Sequence, residues 1–278
     1  MVMTLYHGEP TGPSLTVLAA LFESGLEADL RPIDLAMGER HAGAIPLNVE
    51  TNYSVEGEGP VLVVDGEALC DSVFIGCFLD DAAPGSGLRP ADPYVRWEMM
   101  AWCRWIIERL APGVAALANR AWTTPRLAAL DDDAFAIITG RIVAQDLRER
   151  WEETRAGTLS DEHRAASEAR VHEAAKKVDD RLVDRDWIMG DFSLADLESY
   201  AWLAPMRELL PAAFEGKPHL AAWLARVAAR PSVQRALTQA RTPEPAHGFA
   251  PGPEINRWGG RTKNLRCCAR YTRQTVVL

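Results

Sequence analysis

The sequence predicts an α/β unit followed by an all-α helical bundle. Three observations carry that reading. Short apolar runs at 3–6, 28–33, 61–64 and 67–69 are interleaved with helical segments in the first 82 residues; a proline- and glycine-rich block follows at 84–93; and from Tyr94 onward the apolar residues recur at helical spacing.

The elements follow in order. Residues 3–6 make a short strand, and the helical spacing over 14–22 sets Leu15, Leu18, Ala19 and Phe22 on one face. Residues 28–33 form a second strand. Asp65-Gly66 is a favoured two-residue turn, so 61–64 and 67–69 pair as a hairpin around it. Asp71-Ser72 opens a helix over 73–79, closed by an acidic pair and Pro84. This order, β-α-β and then β-β-α, is that of the thioredoxin fold. The helical part begins with Trp97, Met100, Ala101, Arg104, Trp105 and Glu108 at helical spacing. Long amphipathic helices are predicted over 131–155 and 160–182, the second with Asp161-Glu162 favourable to its dipole. Ser193, three residues ahead of Asp196 and just after the turn-forming Gly190, spells a capping box. Helices over 193–209 and 218–229 complete the bundle, and Pro231 stops one helix and starts the next.

The expected organisation is therefore a thioredoxin-like domain over 1–82, a linker over 83–93 and an all-α domain over 94–241. Residues 242–278, Pro/Gly-rich and then basic, are expected to be a disordered tail. Residues 261–278 hold five basic and no acidic residues, so contact with an acidic partner and an unselected extension both stay open.

The chain has 278 residues, 47 % of them hydrophobic and 25 % charged, which is ordinary globular composition. Its net charge of −9 argues against a general nucleic-acid surface. No run approaches the roughly 18 apolar residues of a membrane span, and residues 1–7 lack signal-peptide blocks, so a cytoplasmic location is expected. Cys70, Cys77, Cys103, Cys267 and Cys268 have no metal-ligand spacing, implying thiols in a reducing compartment and no metal.

The segments GPVLV, DSVFI, FSLAD and the closing W…ARPSV, over about residues 3–240, resemble the glutathione S-transferases. Within them, LYHGEPTGPSLTVLAAL and LRPADPYVRWEM resemble bacterial β-etherases, which cleave β-aryl ether bonds of lignin-derived aromatics with glutathione. The resemblance implies glutathione as co-substrate, a hydrophobic aromatic small molecule as second substrate, and a homo- or heterodimer of chains with this fold. The string around Ser193 marks the superfamily as a folding signal and carries no chemistry.

The same resemblance directs attention to three places in the first domain. Gly59-Pro60-Val61 would offer backbone groups to the cysteinyl part of glutathione through a cis Pro60, the alternative being a strand-initiating trans proline. Asp71 and Ser72, at a helix N-terminus, would take the γ-glutamyl ammonium and carboxylate; a plain N-cap is the alternative. Ser14, with Thr11, would stabilise the thiolate. His7, Trp105 and Trp122 are candidates for the substrate pocket, although helix-spaced aromatics usually belong to a core. Two departures stand against full competence. Pro13 replaces the small polar residue or Cys that relatives place before the serine, and it has no N–H to donate. The connection 49–59 is long and acidic, with Glu50, Glu56 and Glu58 where an anionic ligand must sit. Those charges are expected at the surface, where each weakens binding by about 1 kcal/mol or less. A non-catalytic or half-catalytic subunit is therefore the alternative function.

Overall fold

The computed structural model describes residues 1–52, 54 and 56–251. Its first part is a four-stranded sheet in the order β2-β1-β3-β4, with β1 (Met3–His7), β2 (Asp29–Pro32), β3 (Val61–Val64) and β4 (Glu67–Leu69). Strand β1 pairs parallel with β2 and antiparallel with β3, and β3 closes the hairpin with β4. Asp65 and Gly66 take positive φ values of 49° and 95°, the backbone such a tight hairpin turn requires. Helix α1 (Gly12–Ser24) crosses between β1 and β2, α2 (Val49–Asn52) is a single turn, and α3 (Ser72–Ala82) returns after β4. This is the thioredoxin-like arrangement read from the residue pattern.

The second part is all helical. Helix α4 (Pro93–Trp105) runs through a π-helical stretch, Ile106–Leu110, into α5 (Ala111–Ala118), and a second stretch, Asn119–Thr123, leads into α6 (Thr124–Ala128). Then come α7 (Asp132–Thr139), α8 (Gln145–Ala156), α9 (Asp161–Arg181), α10 (Leu194–Leu203), α11 (Met206–Leu209), α12 (Pro218–Ala228) and α13 (Pro231–Leu237). Ser160 caps α9 by accepting from the His163 N–H at 3.1 Å. Two expectations need correction. The helix read over 131–155 is two helices, because the chain leaves helical geometry between Thr139 and Gln145. The helix over 193–209 likewise breaks at Ala204-Pro205, since Pro205 has no N–H to continue the ladder.

One core joins both parts. Helix α1 lies between α3 on one side and α10 and α13 on the other, so Leu15, Val17, Leu18, Ala19, Ala20 and Leu21 are all buried rather than one face alone. Gly76 of α3 lets α10 approach: a Cβ there would stand 2.5 Å from Leu194 Cδ2. The motif ARPSV locks the far end of α1. Arg230 donates two hydrogen bonds to the Glu23 carboxylate, at 2.8 and 2.9 Å.

The capping box is present and does more than start a helix. Asp196 is fully buried; its Oδ1 accepts from the Ile188 N–H at 3.0 Å and from Trp223 Nε1–H at 2.8 Å, while Oδ2 accepts from the Ser193 N–H at 3.0 Å. One carboxylate thereby ties the turn before α10 to α12. Burial pushes its pKa up to about 6.

A smaller apolar cluster, made from Leu127, Phe135, Ile138, Ile142, Leu147 and Trp151, sits under α6–α8 and covers the loop that follows β2. Gly38, at φ +71°, meets Ile138 there: a Cβ would stand 2.6 Å from Ile138 Cγ2.

The expectation of disorder from residue 242 is overturned for the part the structure describes. Residues 242–251 fold back over the first domain, with Phe249 and Ala250 buried and a 3-10 turn at Pro245–His247. The Phe249 carbonyl accepts from Thr123 Oγ1–H at 2.7 Å, and Trp122 stacks on His247 at 4.4 Å. The apolar ring of Phe249 anchors a segment whose composition alone reads as linker. Residues 252–278, with the basic cluster, Cys267 and Cys268, lie outside the described residues.

Candidate active site

Three chain segments meet at one end of the sheet, where β1 and β4 finish and β3 begins. The first is the turn from β1 into α1. Thr11 is the extended N-cap of α1, Pro13 occupies its second position, and Ser14 its third. Pro13 suits that place because the first helical N–H groups have no partner within the helix. Ser14 is buried and its Oγ accepts from the Gly8 N–H at 3.0 Å. Its lone pair is thus engaged and its own O–H remains a donor, which is the polarity that stabilising a thiolate requires.

The second segment is the N-terminus of α3. Asp71, its N-cap, has φ 65° and ψ 118°, a region costly for a residue with a Cβ and typical of functional sites. Ser72 is fully buried. The third is the connection into β3. None of the described peptide bonds is cis, so Pro60 is trans, and the cis proline expected from the resemblance is not found. The long connection 49–59 leads into Pro60 and turns Glu56 toward the α3 N-terminus. Gly59 faces that loop's own carboxylate: a Cβ on Gly59 would lie 3.2 Å from Glu56 Oε2 and 3.8 Å from Pro13 Cβ. Val61 is buried in β3, opposite Tyr6 of β1.

The acids of that connection were expected at the surface. Glu50 is there, but Glu56 and Glu58 are buried. Glu56 turns onto the helix terminus, where its Oε2 accepts from the Ser72 N–H at 2.8 Å and its Oε1 meets Ser72 Oγ. Ser72 Oγ is also 2.8 Å from Glu198 Oε2 on α10, and Trp202 Nε1–H donates to Glu198 Oε1 at 2.7 Å. Asp71 meanwhile is taken up by Ser54 Oγ and by the Glu56 N–H at 3.4 Å. Ser72 has one hydroxyl hydrogen for two carboxyl groups, so one of the two contacts is a carboxylic acid donating to Ser72 Oγ. Burial, reinforced by the other acids, holds Glu56 well above the usual carboxylate range; burial likewise raises Glu198. Glu58 is held elsewhere: its Oε1 lies 2.8 Å from His41 Nε2 and accepts from Trp151 Nε1–H of α8 at 3.0 Å.

Sequence reasoning missed Arg40 and His41. Arg40 is buried; its Nη2 donates to the Thr51 carbonyl, and its Nε and Nη1 have no hydrogen-bond partner among the described residues. The adjacent basic pair Arg40-His41, placed before an acidic loop in a chain of net charge −9, was the available signal.

Thr11, Pro13, Ser14, Glu56 and Glu58 border one narrow crevice of about 20 Å3, roofed by Trp202, Gly248 and Phe249. Beside it, sharing Glu9, Leu35 and Gly248, lies a wider cavity of about 620 Å3 lined by Trp122, Arg126, Arg241 and His247. Trp122 lines this wider cavity. Trp105 does not. It packs beside Trp102 under Lys177 of α9, whose Nζ lies 4.9 Å from its ring centroid, because its helix phase turns it toward α9. His7 is buried and does not border either space, so it is not placed at the substrate pocket read from the sequence. Its Nδ1 contacts the Gly8 carbonyl at 2.8 Å, and burial lowers its pKa, so it is a neutral imidazole.

A sheet in this order, a helical domain packed on α1, and a buried serine in the first turn of both α1 and α3 define a class. Residues 151–231 match the family model described as glutathione S-transferase, C-terminal domain. The chain belongs to the glutathione S-transferase superfamily. Within it, the chain is similar to the protein LigF of Sphingobium sp. (strain NBRC 103272 / SYK-6), at 30% identity over 266 residues, 87% of this chain and 95% of that one. The crystal structure of the β-etherase LigF from Sphingobium sp. strain SYK-6 matches with a TM-score of 0.76 and 26% identity, over 86% of this chain and all (100%) of that one. A glutathione S-transferase of Escherichia coli O157:H7, GstA, is 25% identical over 244 residues, 85% of this chain and 98% of that one.

Proposed function

We propose that this chain is a glutathione-dependent transferase of the β-etherase type. Glutathione is held by Asp71 and Ser72 and by the backbone at Gly59, Pro60 and Val61, with Pro60 trans, and its thiolate is stabilised by the Ser14 hydroxyl with Thr11. The thiolate attacks the carbon bearing an aryl ether: a C–S bond forms, the C–O bond breaks, and the electron pair leaves on a phenoxide that takes a proton from solvent. Trp122 walls the aromatic substrate in the cavity beside the crevice. The observation that carries this reading is that a carboxyl group sits on Ser72 at the α3 N-terminus, in the crevice that Ser14 borders. The helix terminus receives a carboxyl group, and the chain's own Glu56 stands in there for glutathione's. Similarity to LigF over most of both chains supports the choice of aryl ethers.

The domain division at 82 and 94, a cytoplasmic location and dimerisation belong to the same proposal. No described helix is long and apolar enough to cross a membrane. Phe74 on α3 and Tyr94 and Trp97 on α4 leave large rings 61–70% exposed, an apolar surface suited to a second chain of this fold.

The second reading is a non-catalytic or half-catalytic subunit of a heterodimer, favoured by Pro13, which has no N–H to donate, and by the length of the connection 49–59. Calorimetric titration with glutathione, followed by a thiol-transfer assay on a model β-aryl ether, separates the two. Binding with turnover supports the enzyme. Turnover that appears only on mixing with a related chain supports the subunit.

A further inference from the structure

Glu56 stands where, on the reading above, the γ-glutamyl carboxylate of glutathione binds. We propose that Glu56 is an internal competitor for glutathione: its carboxyl group fills the Ser72 end of the site, and glutathione enters by displacing it. The inference rests on the glutathione reading and sets the affinity of that same site.

Donors and acceptors support the exclusion. The α3 terminus offers a carboxylate the Ser72 N–H and the Ser72 hydroxyl, and both meet Glu56. No donor of Ser72 is left for a second carboxylate. Glu56 is 2% exposed, so this is an inserted side chain and not a surface contact. Because it is tethered, it acts at an effective concentration set by the chain, in the range where free glutathione must compete.

Charge supports the displacement. Glu56 is faced by Asp71 on the N-cap and by Glu198 on α10, with the Ser54 hydroxyl and the Ser72 hydroxyl between them. The Cys70 thiol nearby is pushed up to about 12, chiefly by burial, and is neutral. Arg40 is the cation that acts on Cys70, but its hydrogen bond goes to the Thr51 carbonyl. Three carboxyl groups thus share two serine hydroxyls, those of Ser72 and Ser54, and among the described residues no cation forms a salt bridge with them. Glutathione brings a carboxylate together with an ammonium one carbon away. Exchanging Glu56 for that group puts a cation beside Asp71 and Glu198, and it releases Glu56 to solvent, where it ionises. The loop acid is therefore a weaker occupant than the true ligand, though always present.

The test is glutathione titration of the wild type, Glu56→Ala, Glu56→Gln and, as a charge control on the exposed part of the loop, Glu50→Ala. Glu56→Ala should tighten the apparent Kd by about tenfold, the factor by which an occupied fraction taxes a competing ligand. Glu56→Gln keeps the volume but presents one acceptor oxygen instead of two, and should tighten it less. Glu50→Ala should match the wild type. In the unmodified protein, saturating glutathione should speed hydrogen exchange at the amides of Glu56, Gly57 and Gly59. Equal affinity in wild type and Glu56→Ala, weaker binding in the variants, or unchanged or slowed exchange overturns the inference while leaving glutathione binding intact. Absence of binding in every folded protein overturns the glutathione reading and the competitor with it.

Discussion

Replacing Asp196 by Ala and by Asn should separate two contributions that its burial combines. In the native protein its carboxylate accepts from the Ile188 N–H, the Trp223 indole N–H and the Ser193 N–H, all buried. Alanine leaves three donors unpaired, at about 1–3 kcal/mol each, so the loss is on the order of 6 kcal/mol. Against this, the native carboxylate titrates near 6, above its usual 3.8, so holding it ionised at neutral pH costs roughly 3 kcal/mol. Removing the charge offsets that much. The net expectation for Asp196→Ala at pH 7.5 is a loss of about 3 kcal/mol, or roughly 6–12 °C in melting temperature for a chain of this size.

Asparagine behaves differently. Its carbonyl oxygen can keep the Ile188 and Trp223 bonds, and only the Ser193 donor is lost, at about 1–3 kcal/mol, which the removed charge roughly cancels. Asp196→Asn should therefore melt close to the wild type at pH 7.5. The pH dependence follows with a definite sign. A carboxyl whose folded pKa is raised contributes stability that is fully present below the unfolded value and is lost as pH rises through the folded one. Asp196, Glu56 and Glu198 are all raised by burial, so these three acids together make the wild type melt higher at pH 5.5 than at pH 8, against the smaller opposite contribution of His7 and His163, whose pKa values burial lowers. The Asn variant should show a flatter profile. Calorimetric melting of the three proteins across that range is the assay. An Ala variant within about 1 kcal/mol of wild type, or an Asn variant as damaged as Ala, refutes the account of Asp196 as a hydrogen-bonded hub carrying a costly charge.

Two further outcomes test the site and the assembly. Ser14→Ala should lower kcat for glutathione-dependent ether cleavage by about 100-fold with little change in glutathione affinity, the effect of losing one preorganised donor; unchanged turnover in a steady-state assay removes Ser14 from the chemistry. Trp97→Glu should shift the protein from dimer to monomer in sedimentation velocity at micromolar concentration, because it sets a charge into the exposed aromatic surface of α4; a wild type that sediments as a monomer, or a variant that stays dimeric, rejects that surface as the interface.

Some of this protein was legible because local chemistry dictates it. Asp65-Gly66 accepts the positive φ values of a tight turn, so the hairpin strands fell where the pattern put them. Ser193 and Asp196 are three residues apart, and their reciprocal bond needs nothing distant. Pro231 starts α13 for the same kind of reason. The break between α7 and α8 was invisible because the amphipathic pattern runs through it, and Trp151 is needed against the first domain rather than along one continuous stripe. Trp105 was misread because spacing shows that it shares a helix face, not which neighbour that face meets. The segment 242–251 has a loop's composition, and distant partners hold it in place: a buried site for Phe249 and the stack of Trp122 on His247.

The sequence by itself determined the fold class, the order of the four strands and the two serine-bearing helix starts, since each depends on residues a few positions apart. Tertiary structure alone decided the state of the site. Whether Glu56 and Glu58 face water or the protein depends on Ser72, Glu198, His41 and Trp151, up to 142 positions away along the chain. A carboxylate's effect on a binding site is set by its burial and its partners, and neither is a property of the loop that carries it.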